Sequence, residues 1–434
     1  MQLKLSMRTI GFALVCLLLT VPCGLSAQIR GNNIVVTVTP DHKDWNYSVG
    51  EKATFTVNVR KSQTLLDNVK VSWEAGPVSY PDTKKTAVLK DGTMTQTATM
   101  RTPGFYRLKV TAEVNGKKYD GMCTAAFSPE KIKPWCKDAA HFDDFWKKAL
   151  ADARANGLNP TRRLLPERCT EKVNVYEVSY VNNAWNSRMY GILSVPVKAG
   201  RYPALLRVPG AGVRPYGGDT YTNPGECIVL EIGVHGIPVT MEQKVYDDLL
   251  AGALNNYWAV NLDNPDQNYY KRVVTGAVRG IDMIASLPEW DGKTIGVTGA
   301  SQGGFLSLAV AALDKRVTFI GVVHDAMCDF EAELHGVAGG WPHYFLHTAD
   351  KGAVLEAKTE GARYYDGVNF ARRCTQPAWF SFGYNDDVVP PTSSYGLYNS
   401  YPAEKHLSVY QMTGHFWYQE QWDEWQQWLT DHLK

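Results

Sequence analysis

The run Gly299-Ala300-Ser301-Gln302-Gly303-Gly304 sets one serine among four small residues and a glutamine, and its flanks decide what it could do. Thr294 to Thr298 is short, β-branched and mostly apolar, as suits a strand buried on both faces. Phe305 to Leu313 is apolar throughout and reads as a buried helix. Strand, G-x-S-x-G and helix together describe a nucleophile elbow, a sharp turn whose flanking residues must lack bulk. The Oγ of Ser301 then projects above the sheet edge. The N–H of Gln302, first in the helix, points to where an oxyanion would form. An ordinary glycine-rich turn has the same pattern, so the chemistry depends on partners further along the chain.

A serine hydroxyl needs a base within reach, and the base needs a carboxylate to orient it. Pro377 to Gly383 reads as a strand followed by a loop carrying Asp386 and Asp387 ahead of Pro390-Pro391. Leu407 to Met412 reads as the next strand, followed by Thr413-Gly414-His415. Serine, acid and histidine thus follow one another, the latter two on loops after strands. Asp386 is the preferred acid, with Asp387 its competitor, and His415 is the preferred base. His235, His324, His335, His343, His347 and His406 read as surface or core residues. No H-E-x-x-H occurs, and the group His335, His343 and His347 lacks a spaced carboxylate, so no metal is expected, and no organic cofactor is implied. A second oxyanion donor is expected after the strand Tyr202 to Val208, at the N–H of Ala211, where Gly210 and Gly212 let the backbone approach a carbonyl.

The elements that must hold these residues alternate in type. Val173 to Tyr180 and Met189 to Pro196 read as antiparallel strands and Cys227 to Gly233 as a buried one. Tyr270 to Leu287 reads as a helix with Val274, Ala277, Val278, Ile281 and Ile284 on one face, and Phe142 to Ala151 as an amphipathic helix. Residues 129–434 are therefore expected to form an α/β-hydrolase with a mostly parallel sheet. Residues 28–128 differ: about seven short alternating strands, with turns at Asp91-Gly92 and Asn115-Gly116, predict an all-β immunoglobulin-like sandwich. Tyr106 is its expected corner tyrosine, with a hydroxyl bonded to backbone. Trp73 reads as core, although Trp45, Tyr47 and Trp73 could instead form a sugar-binding face. The unit reads as structural or a spacer, joined to the rest by a linker, Ser128 to Pro134.

Lys4 and Arg8, the apolar run Ile10 to Val21 and the small residues up to Ala27 predict a signal peptide over residues 1–27, too short for a membrane span. The mature chain is then exported, to a periplasm or outside the cell. It keeps 43 basic residues against 44 acidic ones, with no basic stripe, which argues against nucleic acid. Six cysteines remain without a C-x-x-C pair; an oxidising compartment would allow one bridge, for instance Cys136 with Cys169, but spacing alone does not decide it.

Tyr269-Tyr270-Lys271-Arg272-Val273 through Arg279-Gly280-Ile281-Asp282, then Ser286 to Glu289, the Ser301-Gln302-Gly303-Gly304 elbow, Tyr365 to Ala371 and Asp386 to Pro391 resemble the acetyl xylan esterase and cephalosporin C deacetylase family of α/β-hydrolases. The resemblance runs from about Phe142 to His415. It implies Ser301, Asp386 and His415 as a triad, the amides of Gln302 and Ala211 as the oxyanion hole, and an acetylated carbohydrate, such as acetylated xylan or xylo-oligosaccharides, as substrate. Pro209-Gly210-Ala211 stands where the family has His-Gly-Tyr, which leaves acyl size open. A larger-acyl esterase, feruloyl or glucuronoyl, is the alternative within enzymes. A prolyl-type peptidase shares the elbow, but no anchor for a peptide amine is visible. A sugar-binding module with a silent hydrolase domain is the alternative outside enzymes. The added amino-terminal unit could obstruct the hexamer common in the family, so the oligomeric state is also open.

Overall fold

The computed structural model describes residues 33–434; the expected signal segment lies outside them. Strands β1 (Ile34–Pro40), β2 (Asn46–Tyr47), β3 (Ala53–Lys61), β4 (Thr64–Leu65), β5 (Val69–Pro77), β6 (Thr83–Leu89), β7 (Thr93–Ala98), β8 (Gly104–Val114) and β9 (Lys117–Phe127) make two sheets. One contains β1, β3, β4 and β7, and the other runs β2-β9-β8-β5-β6. Period-two sequence drives this: Ala53, Phe55, Val57 and Val59 of β3 are fully buried, while the residues between them stay partly exposed. Trp73 is only half-buried at the margin of this core, and among the described residues the hydroxyl of the buried Tyr106 makes no hydrogen bond, so the expected corner bond is not seen there.

The second sheet holds β10 (Thr161–Leu164), β11 (Val173–Val181), β12 (Arg188–Pro196), β13 (Tyr202–Arg207), β14 (Ile228–Gly233), β15 (Trp290–Ala300), β16 (Phe319–Val323), β17 (Ala378–Phe382) and β18 (Lys405–Val409). Their order is β10-β11-β12-β14-β13-β15-β16-β17-β18. The six strands from β14 to β18 run parallel, and β10 to β12 form an antiparallel margin. Parallel strands need cover on both faces. Alternate residues supply it: Leu206, Leu230, Ile320 and Phe380 face one apolar layer, whereas Leu205, Val229, Phe319 and Trp379 face the other. The first layer holds α1 (Phe142–Arg154), α3 (Tyr269–Ala285), α4 (Gln302–Leu313) and α6 (Gly367–Ala371), whereas α8 (Gln419–His432) covers the second with Trp425 and Leu429. Helices α2 (Gln243–Ala251), α5 (Gly352–Arg363) and α7 (Pro391–Ser400) complete the set.

The two units are not strung on a free tether. The core of the amino-terminal sheets continues into Phe382, Tyr384 and Tyr395. The segment expected to be a linker is pinned to α7, because the Asn399 side-chain amide donates to Pro129 O and Ile132 O, both at 2.9 Å. The proposed Cys136–Cys169 bridge is absent: all six cysteines of the described residues are free thiols. Spacing along the chain carried no information about their distance in space.

Helix α1 docks through Trp146, which is fully buried among Phe142, Tyr365 and Phe370 and donates its indole N–H to Tyr364 O at 3.3 Å. Trp146→Ala should lower unfolding free energy by about 3–5 kcal/mol, measured by urea titration. A loss below about 1 kcal/mol would contradict this account of how α1 is held.

Candidate active site

Ser301 follows β15 and caps α4 with φ 60° and ψ −124°, a conformation that a residue with a side chain enters only under constraint. The constraint comes from close packing. A Cβ on Gly299 would lie 2.4 Å from Val208 O and 2.8 Å from Gly303 Cα, and one on Gly303 would lie 2.4 Å from Val208 O. Hydrogen bonds from Ser301 N to Val323 O (2.9 Å) and from Ala326 N to Ser301 O (3.2 Å) tie the turn to the end of β16. Among the described residues the Ser301 hydroxyl forms no hydrogen bond, to His415 or to any other side chain.

Gln302 does more than its backbone suggests. Its buried side-chain oxygen accepts from Tyr257 OH (2.8 Å) and Tyr270 OH (2.7 Å), and its amide nitrogen lies 3.3 Å from Pro209 O. The elbow is thereby clamped to the glycine loop carrying Ala211. That loop is further held by Arg214, which donates to Ala211 O (2.8 Å) and Gly210 O (3.3 Å). Burial lowers the pKa of His235 to about 4, so this imidazole is neutral near pH 7; Nε2 donates to Gly212 O at 2.9 Å while Nδ1 accepts from Tyr269 OH at 2.8 Å. Among the described residues the N–H of Ala211 has no protein acceptor, and the N–H of Gln302 is one of the unpaired amides at a helix start.

Asp386 follows β17 and is fully buried, whereas its competitor Asp387 is exposed. Its Oδ1 accepts from the N–H groups of Val388 (2.9 Å) and Val389 (2.8 Å), and its Oδ2 lies 2.8 Å from His415 Nδ1. Burial alone would raise this carboxyl, but contacts with His324 and His415 outweigh it and hold the group well below the usual carboxylate range. His415 follows β18 and keeps its ring partly exposed, as a group that must reach a substrate would.

His324, read from sequence as a surface or core residue, sits at the end of β16 beside the same carboxylate. Its Nδ1 is 3.3 Å from Asp386 Oδ2 in poor alignment, so neither ring nitrogen has a well-formed hydrogen bond. A position just beyond a parallel strand is where site residues gather, and that signal could have found it. His324, Asp386 and His415 also bring donor atoms within 4.8 Å of one another, close enough to hold a cation. A cation there would have to displace the Asp386–His415 contact. The histidines at 335, 343 and 347 are not brought together into such a group.

A cleft of about 310 Å³ adjoins the elbow, and its lining includes Pro209, Gly210 and Ala300 together with Tyr221, Trp417 and Trp422. No helix of the described residues is long and apolar enough to cross a membrane.

A parallel-centred sheet covered on both faces, with a serine elbow and an acid–histidine pair at the strands' carboxyl ends, defines an α/β-hydrolase-like protein. Two solved structures share this fold: acetyl xylan esterases from Paenibacillus sp. R4 (23% identity) and Thermoanaerobacterium sp. JW/SL YS485 (22%), each with a TM-score of 0.61 and covering 70% of this chain and 98% of their own. Acetyl esterase Axe7A of Xylanibacter ruminicola is 36% identical over 420 residues, 94% of this chain and 93% of that one. Residues 128–432 match the family model for acetyl xylan esterase (AXE1). The chain belongs to the acetyl xylan esterase (AXE1) family and is a carboxylic ester hydrolase.

Next to Ser301, Asp325 is fully buried with an unpartnered Oδ1, and burial pushes its carboxyl up to about 7. The unfolded chain ionises this group near ~3.9, so the folded protein binds the extra proton between those values. Its presence therefore costs stability progressively as pH rises through that window, and fully above it. Asp325→Asn should raise the melting temperature more at pH 8 than at pH 5, read by thermal unfolding. An equal gain at both would contradict this assignment.

Proposed function

We propose that the protein is an exported serine esterase that removes acetyl groups from acetylated xylan or xylo-oligosaccharides through an acyl-enzyme. Ser301 Oγ attacks the acetyl carbonyl while His415 Nε2 takes its proton, and Asp386 holds the imidazole through Nδ1. The N–H groups of Gln302 and Ala211 receive the oxyanion. When the tetrahedral intermediate collapses, the C–O bond to the sugar breaks and the alkoxide leaves with the proton from His415. Water then attacks the acetyl-serine ester, giving up one proton to His415, and acetic acid departs as that proton passes to Ser301, the acid then ionising in solvent.

What carries this reading is the 2.8 Å contact between His415 Nδ1 and the buried Asp386 Oδ2. That contact lies at the same end of the sheet as the strained Ser301 turn. The Ser301–His415 hydrogen bond is expected to form as substrate closes the site, as such bonds often tighten on binding. The names of the family and of the Xylanibacter relative support acetyl as the acyl group. The aromatic wall of Tyr221, Trp417 and Trp422 beside the elbow suits a sugar ring. Export follows from residues 1–27, and the two amino-terminal sheets are proposed as an immunoglobulin-like module.

Ser301→Ala should lower kcat on p-nitrophenyl acetate by roughly 10⁴-fold or more with an unchanged unfolding curve. Near-parental turnover would refute the nucleophile. On polymers, mass spectrometry of the released acids should find acetate from acetylated xylan in large excess over ferulate from feruloylated xylan. The reverse ratio would favour a larger-acyl esterase.

A further inference from the structure

We propose that Arg107, on strand β8 of the amino-terminal unit, is a positioning residue for ester hydrolysis: it fixes the backbone that carries Asp386. The inference rests on the reading of Asp386 as the group that orients His415.

Arg107 Nη2 donates to Tyr384 O at 3.0 Å and to Asp386 O at 2.7 Å. Its Nε donates to Thr124 Oγ1 at 2.8 Å, and that hydroxyl donates to Asn385 Oδ1 at 3.0 Å. Asn385 Nδ2 lies 3.4 Å from Met122 O. Three consecutive residues, Tyr384, Asn385 and Asp386, are therefore held by β8 and β9. On its other side the same loop is held by the segment leading to His415, through Tyr384 N to Gln411 O (3.2 Å) and Asn385 N to Thr413 O (3.1 Å). The acid's loop is thus clamped between the base's loop and a different domain.

Removing the guanidinium would leave buried carbonyls of Tyr384 and Asp386 without that donor. Such groups re-aim to find water or another partner. Asp386 Oδ2 has to stay at 2.8 Å from His415 Nδ1, and a shift of a few tenths of an ångström at the backbone moves it. Arginine suits the task because one planar group serves two carbonyls and a hydroxyl at once, which a lysine ammonium cannot match in geometry. Burial lowers the Arg107 pKa while Asp387 and Asp386 oppose the shift. The apolar contact between the units is separate: Phe105 packs on Tyr384 at 5.0 Å and on Tyr395 at 5.6 Å between ring centroids. Loss of the Arg107 bonds therefore leaves the domains docked, so positioning and docking can be told apart.

The test compares Arg107→Met, Arg107→Lys and Thr124→Val with the parent, in the full chain, on p-nitrophenyl acetate. Tyr80→Phe serves as a control, since Tyr80 OH bonds Glu333 O at 3.0 Å across the same domain boundary. Arg107→Met should lower kcat by ~10-fold or more while KM stays within about threefold. Arg107→Lys should recover part of the loss, Thr124→Val should lower kcat about threefold or more, and Tyr80→Phe should stay within about twofold. Folded Arg107→Met with parental kcat overturns the proposal, as does an equal loss in Tyr80→Phe. If Arg107→Met does not fold, Thr124→Val decides: reduced kcat with a parental unfolding curve supports the proposal, and parental kcat overturns it. Asp386→Ala separates the two layers. Should it retain parental kcat, the reading of Asp386 falls and this inference with it. Should it be inactive beside an unaffected Arg107→Met, only the inference falls.

Discussion

One buried carboxylate organises the site. Asp386 is removed from water, which on its own favours the neutral acid, and yet its surroundings favour the charged form. Two backbone amides occupy Oδ1 and one imidazole occupies Oδ2, with His324 alongside. A buried charge persists only where hydrogen bonds replace its lost hydration. The arrangement therefore has little freedom: each donor around Asp386 fixes its orientation as well as its ionisation. The orientation of His415 follows from that of Asp386.

The same constraint spreads outward through the fold. The loop bearing Asp386 leaves β17 at the point where the core of the amino-terminal sheets and the core of the large sheet meet, at Phe382, Tyr384 and Tyr395. A region placed there cannot relax without disturbing both cores. On the serine side, Gln302 plays a comparable part, linking the elbow to Tyr257, Tyr270 and the Pro209 loop through a single amide. Both halves of the site are held by polar groups reaching across elements, on a scaffold whose strands are locked by apolar cover.

What could be read from the amino-acid order was local. The strand before Ser301, the helix after it and the small residues between them are adjacent in the chain, and they form β15, the elbow and α4. Likewise Asp386 and His415 could be placed on loops after strands because turn residues and alternation mark those strands in sequence. Contacts between distant segments could not be read. His324 meets Asp386 only because β16 and β17 pair in parallel register. Arg107 lies 279 positions from the Asp386 carbonyl it bonds, and nothing in the sequence of β8 marks its one arginine as a residue that reaches another element. Cys136 and Cys169 failed as a pair for the same reason, since spacing is not distance. The first unit read as structural or a spacer, and what its β8 and β9 touch is shown only by the folded chain.

The chemistry comes down to whether Ser301 becomes covalently bound to the acyl group under the action of His415. An aryl fluorophosphonate mimics the attacked carbonyl and leaves a stable phosphonyl ester, so peptide mass spectrometry after brief exposure locates the nucleophile directly. The account predicts one adduct, on the peptide containing Ser301, formed far more slowly when His415 is replaced by alanine. An adduct confined to another residue, or labelling of Ser301 at an undiminished rate without His415, would contradict it.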